Sequence, residues 1–192
     1  PEERQGLERA LESMKRMRDR PQRPITISVT DRPADLMRAA RDCDDDAMAE
    51  VIKSKADLNR MDGDRTALIT AARNGCDDVV AQLVKAGANV NIVSARLGSA
   101  LTAAAGNGED DIVNILLKAG ANVNLRGADS DTALVAAVAN CEEDIVKTLV
   151  RRGADVNASY TLRGKKRSPL AVAESVDCEE SAAVLRAKGA KL

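Results

Sequence analysis

Four aspartates crowd one short stretch, Asp42, Asp44, Asp45 and Asp46. Their alternate spacing is that of the first ligands of a calcium loop, which also needs glycine at its sharp turn and a bidentate glutamate at its end. Ala47 and Lys53 stand at those two places, so the aspartates read as the charged start of a helix. Cys43, Cys76, Cys141 and Cys178 form no Cys-x-x-Cys pair and have no metal-ligand spacing. They read as structural substitutions, with redox sensing or metal binding as the alternatives. Histidine is absent altogether, which removes the usual general base and the commonest metal ligand together. With no phosphate loop, nucleophile–base pair or metal cluster in the chain, no enzyme activity, cofactor or metal is expected.

Basic side chains offer a different chemistry. Arg163-Gly164-Lys165-Lys166-Arg167 forms a cationic run that reads as a solvated loop, as a contact for an acidic partner, or as a nuclear-import or nucleic-acid element. Overall charge is −1, distributed as +2 over residues 1–33, −6 over 34–157 and +3 over 158–192. No balance of that kind predicts nucleic-acid binding, and aromatic side chains for base stacking are missing, with one Tyr, no Trp and no Phe. The same lack of rings argues against an ordinary globular core. It favours thin helices packed through Ala, Leu, Val and Ile. No apolar run is long enough to span a bilayer, and no signal-peptide pattern is visible. A cytoplasmic or nuclear location is therefore expected, and the sequon Asn157-Ala158-Ser159 reads as chance. The chain opens on Pro1, so a fragment or a processed product is expected.

The elements that position these residues show up as an internal repeat. Ala88-Asn89-Val90-Asn91, Ala121-Asn122-Val123-Asn124 and Ala154-Asp155-Val156-Asn157 recur 33 residues apart, each after a glycine. Thr66-Ala67-Leu68, Ser99-Ala100-Leu101, Thr132-Ala133-Leu134 and Ser168-Pro169-Leu170 recur at 33, 33 and 36. From each of these marks to the closing glycine (Gly87, Gly120, Gly153, Gly189) is always 21 residues. Length varies only in the connections, as it should where helix register is set by stacking. The shared pattern, T-x-L-x-x-A-A-x-x-G-x-x-x-[IV]-V-x-x-L-L-x-x-G-A-x-V-N, resembles the ankyrin repeat over about residues 31–192.

The resemblance implies an all-α solenoid of helix-turn-helix units with projecting β-turn fingers, about five repeats plus an N-terminal helix. The repeats fall near residues 31–61, 62–94, 95–127, 128–160 and 161–192, and helix pairs are expected to begin near 34, 66, 99, 132 and 168. Side-chain chemistry agrees. Thr or Ser at each first-helix start can accept from backbone N–H groups. Leu68, Ala71 and Ala72 share one face, and Val79, Val80, Leu83 and Val84 make the inner stripe of the second helix. Acids such as Asp77-Asp78 and Glu142-Glu143-Asp144 oppose the helix macrodipole. Ser181, Ala182, Ala183 and Arg186 give the last repeat a thinner core, as a cap. The family's first-helix histidine is replaced by Ile69, Thr102, Val135 and Ala171. Its inter-helix glycine is kept as Gly75 and Gly108 but becomes Cys43, Cys141 and Asp177, where a left-handed turn is strained or rearranged.

In residues 1–30, Leu7, Leu11, Met14 and Met17 predict an amphipathic helix over 5–18, ended before Pro21. Ile25, Ile27 and Val29 alternate as an extended strand would. This segment reads as a cap on the first repeat, a linker to a preceding domain, or a ligand for a partner. The resemblance implies a protein–protein interaction scaffold that is monomeric and binds through the concave first-helix and finger surface. Mapped onto this chain, the family's contact positions are Arg41 and Asp42, Asp64 and Arg65, Arg73 and Asn74, Arg96, Gly106 and Asn107, Arg126, Asp131, and Ala139 and Asn140. Recurrent arginine predicts a partner protein with acidic anchors, neither membrane nor nucleic acid. The alternative is a regulatory or autoinhibitory segment of a larger multidomain enzyme or switch protein.

Overall fold

The computed structural model of the chain describes residues 32–127, 131–158, 160–162 and 165–192. The helix expected over 5–18, the strand after it and the tip of the basic loop lie outside the described residues. The described residues fall within one compact unit, 31–192.

Ten helices are present among the described residues, in five pairs. They are α1 Arg32–Asp42 and α2 Asp45–Lys53; α3 Ala67–Arg73 and α4 Asp77–Lys85; α5 Ala100–Asn107 and α6 Asp110–Lys118; α7 Ala133–Ala139 and α8 Glu143–Arg151; α9 Pro169–Ser175 and α10 Glu179–Ala187. First helices pack in one row (α1, α3, α5, α7, α9) and second helices in another. Two short antiparallel hairpins project between pairs as fingers. Strand β1 Val93–Ser94 pairs with β2 Gly98–Ser99, and β3 Tyr160–Leu162 pairs with β4 Lys165–Arg167. In the second, Tyr160 faces Arg167, so the enlarged, basic connection is an extended finger.

The starts follow from side-chain capping. Thr66 Oγ1, Ser99 Oγ, Thr132 Oγ1 and Ser168 Oγ accept from the N–H of Ile69, Thr102, Val135 and Ala171 at 3.2, 3.1, 3.4 and 3.2 Å. The residues replacing the family's histidine are thus the ones whose N–H groups are capped. Asp44 caps α2 by accepting from Ala47 N–H at 2.8 Å, and Asp45 and Asp46 lie in its first turn, which accounts for three of the four aspartates; Asp42, expected with them at a helix start, is instead the last residue of α1.

Burial follows the period. Leu68, Ala71, Ala72, Val79, Val80 and Leu83 are buried, as are Ile112, Val113, Leu116, Ile145, Val146 and Leu149 in the next two second helices. In the last repeat Ser181 and Ala182 are buried where Ile145 and Val146 stand one repeat earlier, and Leu185 completes the row. Ala183 is exposed and is not a core position, which corrects part of the cap reading.

Side-chain amides tie repeat to repeat along the other edge. Asn59, Asn91, Asn124 and Asn157 accept through Oδ1 from the N–H of Asn89, Asn122, Asp155 and Lys191 at 2.7–2.9 Å. Asn91, Asn124 and Asn157 also donate through Nδ2 to the carbonyls of Gly120, Gly153 and Gly189. The sequon asparagine is therefore a structural rung.

The largest correction concerns the cysteines. Cys43 is bonded to Cys76 and Cys141 to Cys178, with Cα atoms 5.1 and 5.6 Å apart, within the usual range for disulfides. Cys43 and Cys141 keep the left-handed backbone of the glycine they replace, with φ of 52° and 58°. Asp177 does the same at 57°, so the turns are retained and not rearranged. Each bridge runs from an inter-helix turn to the residue just before a second helix in the following repeat. One bridge joins the first two repeats and the other joins the last two. At the two interior interfaces the same place holds Gly75 against Glu109 and Gly108 against Glu142. A Cβ on Gly75 would lie 2.7 Å from Glu109 Oε1, and one on Gly108 2.8 Å from Glu142 Oε2. Glycine here serves both a left-handed φ and a seated carboxylate.

Candidate functional site

The residues expected to meet a partner come from two kinds of element. Arg41, Arg73, Asn74, Asn107 and Asn140 lie at first-helix C-termini, and Asp64, Arg65, Arg96, Arg126 and Asp131 lie in the fingers. Counted by repeat, the second finger (residues 62–65; the third is residues 93–99) is a tight turn: Asp62 N–H donates to the Arg65 carbonyl at 2.8 Å, and Gly63 takes the left-handed φ of 63°. The third finger is organised by Ser94, whose hydroxyl is wholly buried. Ser94 Oγ accepts from the N–H of Arg96 and Leu97 at 3.1 and 3.0 Å and donates to Asp64 Oδ2 at 3.2 Å. The remaining Asp64 oxygen sits 3.8 Å from Arg65 Nε. Asp64 therefore ties one finger to the next and orients Arg65.

Arg65, Arg73 and Arg96 meet around one cavity of about 290 Å³, completed by Asp64 and Leu97. Arg73 and Arg96 are exposed and make no side-chain ion pair or hydrogen bond within the described residues. A smaller recess beside it is lined by Leu97, Gly98, Thr102, Gly127 and Asp131. There a Cβ on Gly127 would lie 3.1 Å from Gly98 Cα, so neighbouring fingers touch backbone to backbone. Arg41 and Arg126 are exposed but line neither space.

The asparagines do other work. Asn74 Nδ2 donates to the Arg41 carbonyl at 3.0 Å, and Asn107 Nδ2 donates to the Arg73 carbonyl. Both cross between repeats and close the ends of the preceding first helices. Asn140 Nδ2 donates to the Ala136 carbonyl of its own helix at 3.1 Å. Sequence reasoning missed Ser94, Leu97 and Gly98. The signal was present as Ser94-Ala95-Arg96-Leu97-Gly98, in which a serine hydroxyl can close a turn over the next residues.

A larger groove of about 470 Å³ lies across the second-helix row, lined by Asp144, Lys147, Thr148, Val150, Arg151, Val184 and Lys188. Its polar groups mostly answer one another. Lys147 pairs with Asp144 and with Glu180, and Arg151 donates to Thr148 Oγ1 at 3.0 Å. Beside it, Glu143 and Glu180 share a hydrogen bond. That bond lifts the Glu143 carboxyl above the ordinary glutamate value, and Glu180, held also by Lys147, falls below it. Charges so engaged leave less for a ligand than the arginine cavity does.

No group of His, Cys, Asp and Glu suited to a metal occurs among the described residues. A family model described as ankyrin repeats (3 copies) matches residues 36–127 and again residues 101–192. Comparison with curated proteins gave no match.

Proposed function

The chain belongs to the ankyrin-repeat family, whose members are generally protein–protein interaction modules, and from that premise we propose that it holds a partner protein on the face built from first helices and fingers. The observation that carries this reading is the cavity of Arg65, Arg73 and Arg96, where two guanidiniums have no partner among the described residues. The stacked backbone loses little further freedom on binding, so the ordering cost is confined to the side chains. Arginine is also a frequent interface hot spot, and here it stands in for the missing surface aromatics. The partner presents acidic anchors to that cavity. The role is binding and not catalysis, and the binder is a monomer. No described helix is long and apolar enough to cross a membrane.

A cytoplasmic or nuclear location belongs to this reading with one condition. Compartments poised by glutathione keep thiols reduced, so both bridges would be open there and closed in an oxidising compartment. Alkylation of free thiols in freshly lysed source cells reads which state the chain occupies.

The test of the binding face is a photocrosslinking residue placed at exposed Ala95, beside Arg96, or at exposed Ala139 on the same face, compared with one at Lys85 or Lys118 on the second-helix row. Adducts from the first pair alone support the reading. Adducts from the second pair alone overturn the choice of face and leave the fold untouched.

A further inference from the structure

We infer that the arginine cavity is a receptor for a phosphorylated serine or threonine on the partner, an inference that rests on the proposed binding face and names the group it reads. The argument starts from charge. Three guanidiniums, Arg65, Arg73 and Arg96, line the cavity against one carboxylate, Asp64; Asp131, in the adjoining recess that Arg96 also lines, is engaged elsewhere. Asp64 is already engaged by Ser94 Oγ at 3.2 Å and by Arg65 Nε at 3.8 Å, so its role is to orient Arg65. The remaining charge matches a dianion. A single carboxylate neutralises half of it, whereas a phosphate ester carries about −1.5 to −2 at neutral pH and presents three acceptor oxygens.

Geometry narrows the ligand further. The three arginines come from three separate elements, the second finger, the end of α3 and the third finger. All three line one space, so their planar forks can take several oxygens of one phosphoryl group. A volume of about 290 Å³ is ample for a phosphorylated side-chain head group. Half-buried Leu97 supplies an apolar wall for the short carbon arm of such a residue. Nucleic-acid phosphate is disfavoured because Tyr160, the chain's one aromatic, is buried, leaving no stacking platform.

The test uses the whole chain and short blocked peptides carrying phosphoserine, glutamate or serine at the same place, with inorganic phosphate as a fourth probe. Binding is followed through the arginine Nε–H signals in NMR spectra. The phosphoserine peptide is expected to move the Arg65, Arg73 and Arg96 signals and to bind about tenfold more tightly than the glutamate peptide. Arg73→Gln and Arg96→Gln should each weaken it about tenfold. Arg73→Lys should weaken it too, since an ammonium cannot fork, while Lys85→Gln should not. Equal binding of glutamate and phosphoserine peptides overturns the inference in favour of a carboxylate site. Inorganic phosphate binding as tightly as the peptide overturns it in favour of a free anion, and an absence of arginine shifts overturns it outright. If crosslinks to a partner through a photoreactive residue at Ala95 survive phosphatase treatment of that partner, the binding face stands and the phosphoryl inference alone falls.

Discussion

Replacing Cys141 and Cys178 by serine should release the last repeat from the array. In that repeat Ser181 and Ala182 occupy the places of Ile145 and Val146. The change from Ile to Ser and from Val to Ala removes about five carbons of buried apolar surface, worth about 4 kcal/mol at ~0.8 kcal/mol per carbon. Against this stands the bridge, which closes a loop with a sequence separation of 37. The chain-entropy relation gives about 4 kcal/mol for a loop of that size. The two terms nearly cancel, so the covalent link offsets the thin core, and the oxidised last repeat should be protected about as well as its neighbours. Without the bridge, amides in 168–192 should exchange faster by up to a factor on the order of a thousand, while those in 99–150 stay within severalfold. Hydrogen exchange read by mass spectrometry on the oxidised protein and the double-serine variant measures this directly. Chemical reduction alone would also open Cys43–Cys76, so the variant isolates one interface. If 168–192 exchanges at the same rate in both forms, the last repeat is held by packing and the reasoning about its core is wrong.

Asn91→Ala removes the acceptor for Asn122 N–H and the donor to the Gly120 carbonyl, and should cost about 1–2 kcal/mol in urea unfolding followed by circular dichroism. An unchanged midpoint would show that water replaces the rung. In a carboxyl NMR titration Glu143 should protonate at a higher pH than Glu180, because their shared hydrogen bond favours the proton on Glu143 while Lys147 holds Glu180 ionised. Lys147→Met should narrow the gap, and the reverse order of titration would refute the pairing.

Helix starts, helix register and the core were determined by the sequence on its own. A cap reaches three residues and an inner stripe repeats every three or four, so Thr66, Leu68, Val79 and Leu83 announce their roles within one repeat. The 33-residue period then extends each role to the next unit. The tertiary structure decided what passes between units, because those contacts join residues far apart in the chain whose offset depends on how successive units stack. Each cysteine meets the residue one past its own equivalent in the next repeat, so comparing aligned positions left Cys43 and Cys141 looking isolated. The same step of one seats Glu109 over Gly75 and Glu142 over Gly108. In the fingers, the bond from Ser94 to Asp64 spans 30 residues, and it turns an expected contact residue into a brace for Arg65. Asn74 and Asn107 are likewise spent on the carbonyls of the repeat before them. Sequence marks which side chains share a face; only the stacked backbone decides which of them are consumed by a neighbour, and here it leaves Arg73 and Arg96 unclaimed.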